Sequence, residues 1–196
     1  MIDIESSFSD RLPANANISY PPQDPGIKSS AVLVPLLKDE TIWKLLFTRR
    51  SDQLADHRGQ VSFPGGHVET VDSGPLQTAL RETCEEIGIR SEDIRPLGIL
   101  DPADTRTGFR IWPVVCILKW PLELTLSSPE VREVFFVPVE WLMQPGNLTR
   151  RSMESINGRA QSTAPFFEPF QGHVIRGATA AITVRLMEIL REGWTS

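Results

Sequence analysis

Residues 73–88, SGPLQTALRETCEEIG, constrain this chain more than any other segment, because they carry both the spacing and the punctuation of a helix. Ser73 or Asp72 is placed to cap it, Pro75 falls in the first turn where a missing N–H is tolerated, and Gly88 ends it. Leu76, Ala79, Leu80 and Ile87 recur at helical intervals and give it a face to bury. The flanking chain reads mostly as strand. SSAVLVPLL and WKLLFTRR, joined by an Asp39-Glu40 turn, predict a hairpin. A short strand is expected before the glycine pair of RGQVSFPGGHVE and another after it. Further strands are expected at IRPLGIL, FRIWPVVCILKW and VREVFFVPV, the last running into a short helix, VEWLM. A polar, Arg-rich span, NLTRRSMESINGRAQS, then precedes a strand around APFFEPF.

A closing helix over residues 177–192 turns Ala181, Val184, Leu186, Ile189 and Leu190 towards the core. Strands in the middle and two substantial helices predict an α+β fold, an α/β/α sandwich with a mixed central sheet. One domain is expected over residues 29–196, preceded by a polar arm over residues 1–28, rich in Pro and Asn.

Composition narrows the function. The 196 residues are 40% hydrophobic, enough for a core without disulfides or structural metal. No run approaches the roughly 20 apolar residues that span a bilayer, and MIDIESSFSD lacks the basic flank and apolar run of a signal peptide. The two cysteines, Cys84 and Cys116, give no disulfide framework and are expected as reduced packing residues of a cytoplasmic protein. A net charge of −5 argues against general affinity for nucleic acid, yet leaves room for a small anionic ligand held through divalent cations.

Within the helix, Glu82, Glu85 and Glu86 stand at i, i+3 and i+4 and share one face. Like charges so placed repel, and an exposed acidic face is the ordinary outcome. The preceding FPGG changes the weighing, because glycines at 65 and 66 permit backbone to approach the carboxylates closely. Three carboxylates beside such backbone form a half-cage for a hard cation that prefers oxygen ligands and bridges to phosphates.

From Gly66 to Ile89 the chain resembles the Nudix hydrolases. Their signature is a glycine, five residues, an acid, seven residues, then Arg-Glu, an aliphatic residue, any residue, Glu-Glu, any residue, Gly and an aliphatic residue. Here Gly66 begins it and Arg81-Glu82-Thr83-Cys84-Glu85-Glu86-Ile87-Gly88-Ile89 completes it. Asp72 supplies the central acid one residue early, and Thr83 stands where an aliphatic residue is usual. Upstream, LLFTRRSDQLADHRGQVSFPGG is similar to the motif that precedes this box in coenzyme A pyrophosphatases, matching at Thr48, Arg50, Ser51, Gly59 and Phe63 to Gly66, with Ala55 at a usually polar place. TRTGFRIWPVV and GATAAI also look like that branch, although Arg176 replaces a common aromatic.

The resemblance implies metal-dependent attack of water on a diphosphate, in coenzyme A or its derivatives, with Mg2+ or Mn2+ as cofactor. Glu82, Glu85 and Glu86 would be the metal ligands, helped by a carbonyl of Gly65 or Gly66, with Arg81 orienting a carboxylate. Arg50, Ser51, Arg58, Gly65 and Gly66 are the expected substrate contacts. Arg49, Arg50 and Arg58 form a basic cluster that could pair with phosphates of an extended nucleotide such as the 3'-phosphate of coenzyme A. Neighbours on a strand point to opposite faces, so only one of Arg49 and Arg50 can enter the site, and Arg50 is expected there. The general base is a Glu of the helix or one of Asp101, Asp104 and Glu130. His57 and His67 read as loop residues, and no His/Cys cluster suggests zinc. Other nucleotides (ADP-ribose, a dinucleoside polyphosphate, a nucleoside triphosphate) remain open as substrates. A binding module without catalysis would have lost carboxylates that this chain keeps. Neither nucleic acid nor membrane is expected as a partner.

Overall fold

The computed structural model describes Phe8 and residues 18–21, 26–52, 58–127, 129–153 and 162–194. The chain runs β1 (Lys28–Asp39), β2 (Ile42–Arg50), β3 (Val61–Ser62), β4 (Gly65–His67), α1 (Pro75–Ile87), β5 (Ile94–Ile99), β6 (Ala103–Asp104) and β7 (Phe109–Leu118). It continues through β8 (Val131–Pro138), α2 (Val139–Met143), β9 (Leu148–Met153) and β10 (Ser162–Phe167) to α3 (Gly177–Trp194).

β1 lies at the centre of a mixed sheet. It pairs antiparallel with β2 through the predicted hairpin, Asp39 opposite Ile42, and parallel with β7, Ala31 opposite Trp112. β4 pairs with β1, while β3 and β8 both pair with β2. Alternation along the strands sorts the apolar side chains into two cores. Ala31, Leu33, Leu37 and Leu46 pack with Ala79 and Ile87 of α1. Val34, Leu36, Leu45 and Phe47 pack with Leu186 and Leu190 of α3. The result is a helix on each face of a mixed sheet, the α/β/α sandwich expected.

Several local expectations are corrected. Gly74, not Ser73 or Asp72, is the N-cap of α1, and no side chain caps it; Asp72 is engaged by Arg81 instead. The Arg-rich span contains β9, which pairs with β10 as a separate two-stranded sheet. Its exposed arginines hid the strand, since a ribbon outside the main sheet lacks a clean apolar alternation. Along α3, Ala181 is exposed while Ala180, Ile182 and Met187 are buried, a small rotation of the expected face. The stretch expected as a surface arm includes Phe8, which is fully packed in the core on the α3 side, and Tyr20, which sits against α1. β1 also begins one residue early, at Lys28. Cys116 is buried, but Cys84 is exposed on α1 and does not pack; both thiols are free.

Candidate active site

Helix α1 meets the sheet where β4 crosses β1, and there the glycine pair touches the carboxylates. Gly65 has a φ of 148°, and a Cβ built on it would lie 2.3 Å from the Ala31 carbonyl oxygen. A Cβ on Gly66 would lie 2.5 Å from the Glu82 carboxyl group. Hydrogen at Gly65 lets β4 lie this close to β1, and hydrogen at Gly66 lets the Glu82 carboxyl group of α1 settle against the backbone. The Gly65 N–H donates to Glu86 Oε2 at 3.1 Å.

The three carboxylates differ in environment. Glu86 is 4% exposed, and burial raises its pKa to about 7 against the opposing pull of the Gly65 N–H and of Arg50. Burial also raises Glu82, with Arg81 opposing. Glu85 has a side chain 57% exposed, against Arg81 Nη1 at 3.3 Å. Among the described residues, no three His, Cys, Asp or Glu side chains are gathered closely enough to hold an ion as they stand. The expected trio is therefore not assembled: Arg81 draws Glu85 outward and also bonds Glu82 at 3.1 Å. The donor chemistry nonetheless suits a hard divalent cation. Glu82 and Glu86 offer only oxygen, lie one turn apart, and are both destabilised as anions in this place.

Arg81 is the hub of the surrounding network. Its Nη2 and Nε donate to the two Asp72 oxygens at 2.9 and 3.3 Å, and Nη2 also reaches the His67 carbonyl at 2.9 Å. These bonds hold Arg81 firmly protonated. Burial would raise Asp72, but Arg81, the Glu69 N–H and Thr78 outweigh it and hold Asp72 below the usual carboxylate range. Thr78 carries the network to the chain's one tyrosine: Tyr20 donates to Thr78 at 2.9 Å, and Thr78 donates to Asp72 at 2.9 Å. Sequence reasoning missed both residues. The available signal was Thr78, a hydroxyl on the apolar stripe of α1.

The twin arginines part company at the end of β2. Arg50 follows Leu46 towards α1, where its charge bears on Glu86. Its Nε is buried and has no hydrogen-bond partner among the described residues. Arg49 follows Leu45 and Phe47 to the other face and pairs with Glu133 at 3.3 Å and Asp52 at 3.2 Å. A register shift against β8 falls between them, the kind of irregularity that re-aims side chains. Ser51 is buried, and its N–H donates to the Glu130 carbonyl at 2.8 Å. The charge of Glu130 bears on both Glu82 and Glu86. Asp101 instead pairs with Arg185 at 3.6 Å, and Asp104 is held by Arg110 at 2.7 Å, which keeps its pKa low. His67 is exposed, its ring edge-on to Phe109. His57 lies outside the described residues.

The sequence pattern of the NUDIX domain matches residues 28–156, which span β1, the glycine pair and the whole of α1. The chain belongs to the Nudix family. It is 36% identical over 159 residues to "Uncharacterized Nudix hydrolase NudL" of Pectobacterium atrosepticum, covering 81% of each chain. It is 35% identical over 162 residues to the protein of the same name from Photorhabdus laumondii, covering 82% of this chain and 84% of that one. A solved MutT/nudix family protein from Enterococcus faecalis has the same fold, with a TM-score of 0.57 at 18% identity, over 88% of this chain and 65% of that one.

Both departures from the Nudix signature have local explanations. The extra residue between Asp72 and Arg81 does not separate them, since two bonds still join their side chains. Thr83 is fully buried at its aliphatic position because its hydroxyl donates to the Ala79 carbonyl at 2.6 Å within the same helix.

Nudix hydrolases generally use divalent metal ions, and a cation held by Glu86 would bind in a pH-dependent way. A carboxyl whose folded pKa is raised from 4.5 to about 7 adds stability at low pH and loses it as pH rises through about 7. Without divalent cation, the wild type should lose stability relative to Glu86→Gln between about pH 5 and pH 8. Cation must displace that proton, so apparent affinity for Mn2+ should rise up to about tenfold per pH unit below pH 7. Melting curves and Mn2+ titrations across this range check both effects, and a wild type parallel to Glu86→Gln throughout would refute them.

Proposed function

We propose that this chain hydrolyses the diphosphate linkage of coenzyme A or its derivatives, giving 3',5'-ADP and a phosphopantetheine fragment. The observation that carries the reading is the packing of Glu82 and Glu86 against Gly65-Gly66, with the buried Nε of Arg50 on the same side of the sheet. Acidic oxygens and a basic donor there suit a cation and the anion it bridges. The stretch from Leu45 to Gly66, similar to that of coenzyme A pyrophosphatases, favours this substrate over other nucleotides.

Glu82 and Glu86 would hold Mg2+ or Mn2+, with Glu85 on the same helix face as a further carboxylate ligand. A bound divalent cation supplies charge neutralisation on the diphosphate and lowers the pKa of a coordinated water. Arg81, fixed by Asp72, orients the Glu82 carboxylate. Arg50 donates to the diphosphate, while Gly65 and Gly66 leave room for it to approach. Ser51 keeps the end of β2 on the Glu130 loop through its main chain. Glu130, whose charge already bears on both Glu82 and Glu86, accepts the proton of the attacking water.

Product analysis with coenzyme A, ADP-ribose and diadenosine polyphosphates, each with Mg2+ and with Mn2+, tests the reading. Release of 3',5'-ADP from coenzyme A at the highest kcat/KM is the expected result. Faster cleavage of ADP-ribose or a diadenosine polyphosphate would replace the substrate and keep the reaction class. Failure to cleave any of them would overturn the enzymatic reading in favour of a nucleotide-binding module.

A further inference from the structure

On the face of β2 opposite the carboxylates lies a cleft of about 570 Å³, between residues 58–61 and the segment leading from β10 into α3. Arg49, Arg58 and Arg176 line it together with Gln60, Phe166 and His173, and none of the described lining residues is acidic. Asp52 and Glu133 pair with Arg49 at the rim of the cleft. The N-terminus of α3 adds to the positive potential. Arg176 immediately precedes its first residue, and Thr179 in its first turn donates to the carbonyl of Val61, a lining residue, at 3.1 Å. The two rings at the border are already engaged. The Arg151 guanidinium lies 3.3 Å from the centre of Phe166, and His173 stacks on Phe135 at 3.9 Å. Recognition in the cleft therefore rests on charge.

We propose that this cleft is a second anion subsite, which takes a phosphomonoester that the substrate carries away from its diphosphate. A phosphomonoester brings close to two negative charges and three acceptor oxygens at neutral pH, and arginine forks match that geometry. The volume exceeds that of a phosphate and admits the sugar that bears it. The strand thus divides the basic cluster Arg49-Arg50-Arg58 between two tasks. Arg50 serves the carboxylate side, while Arg49 and Arg58 serve the opposite face, joined by Arg176 from more than a hundred residues away. The kinetic part of this inference rests on the proposed diphosphate substrate; the binding part does not.

The test uses Arg58→Ala/Arg176→Ala in the full chain. Both side chains are exposed, so the melting temperature should hold. Without divalent cation, the wild type should bind 3',5'-ADP at least about tenfold more tightly than AMP, and the double variant should bind the two alike, since charge-assisted bonds are lost for one ligand only. With cation, the kcat/KM preference for coenzyme A over dephospho-coenzyme A should fall about tenfold or more in the double variant, while dephospho-coenzyme A turnover stays within about threefold of wild type. Arg50→Ala should impair both substrates alike. An unchanged preference for 3',5'-ADP over AMP in the double variant overturns the subsite even if coenzyme A is cleaved. Loss of that preference supports it even if coenzyme A is not the substrate.

Discussion

Changing Glu82 or Glu86 to Gln should lower kcat about a hundredfold or more and leave the fold intact, because an amide keeps the shape of the side chain but binds a hard cation poorly. The two substitutions should differ in their effect on stability. Glu86 is buried with a pKa raised to about 7, so Gln removes a charge that the folded protein tolerates poorly above that pH. Glu86→Gln should therefore be as stable as wild type at about pH 8 without metal, or more so. Glu82 is bonded to Arg81 at 3.1 Å, so Glu82→Gln should cost a little stability as that ion pair goes. Divalent cations should raise the wild-type melting temperature by binding the native state, and should not do so in the Glu82/Glu85/Glu86 triple Gln variant. Steady-state rates and melting curves with and without Mn2+ decide the matter. Activity within about threefold of wild type in both single variants would remove these residues from the metal site.

The glycine pair should separate stability from activity. Gly65→Ala places a methyl group 2.3 Å from the Ala31 carbonyl oxygen and 2.6 Å from Val32 Cα, both main-chain atoms of the central strand, at a φ of 148°. Neither neighbour can move without disturbing the sheet, so a loss of about 3 kcal/mol or more is expected. The three atoms nearest to a methyl group in Gly66→Ala all belong to the Glu82 carboxyl group, at 2.5 to 2.6 Å, and a side chain can turn away. That variant should keep most of its stability yet lose at least about tenfold in kcat, because the carboxylate that yields is one of the two proposed to hold the cation. Denaturant unfolding and turnover measured on both variants check this contrast. Equal unfolding losses in the two would mean that α1 cannot adjust as described.

The carboxylate helix was legible in the sequence because its signals are local. Pro75 at one end and Gly88 at the other bound thirteen helical residues, Pro75–Ile87, and i, i+3, i+4 spacing alone put Glu82, Glu85 and Glu86 on one face. The approach of Gly65-Gly66 to that helix was also foreseeable, since paired glycines before a helix point to close backbone packing. The β1–β2 hairpin was legible for the same reason: two apolar runs joined by a short polar turn. The β9 strand was not, because it pairs outside the main sheet and buries too little for alternation to show.

What the sequence determined by itself was therefore the carboxylate-bearing helix and the order of most strands, since periodicity, caps and turn residues act within a few positions of one another. Tertiary structure decided everything that depended on which distant groups share a volume. It made Glu86 the buried carboxyl and Glu85 the exposed one, although the two are adjacent in sequence. It tied Tyr20 to Thr78, Asp72 and Arg81, chose Glu130 over Asp101 and Asp104 as the acid that bears on the site, and turned Arg50 rather than Arg49 towards the carboxylates. Desolvation and charge act through space, so the same carboxylate can titrate at its ordinary value or near pH 7 according to what the folded chain packs around it.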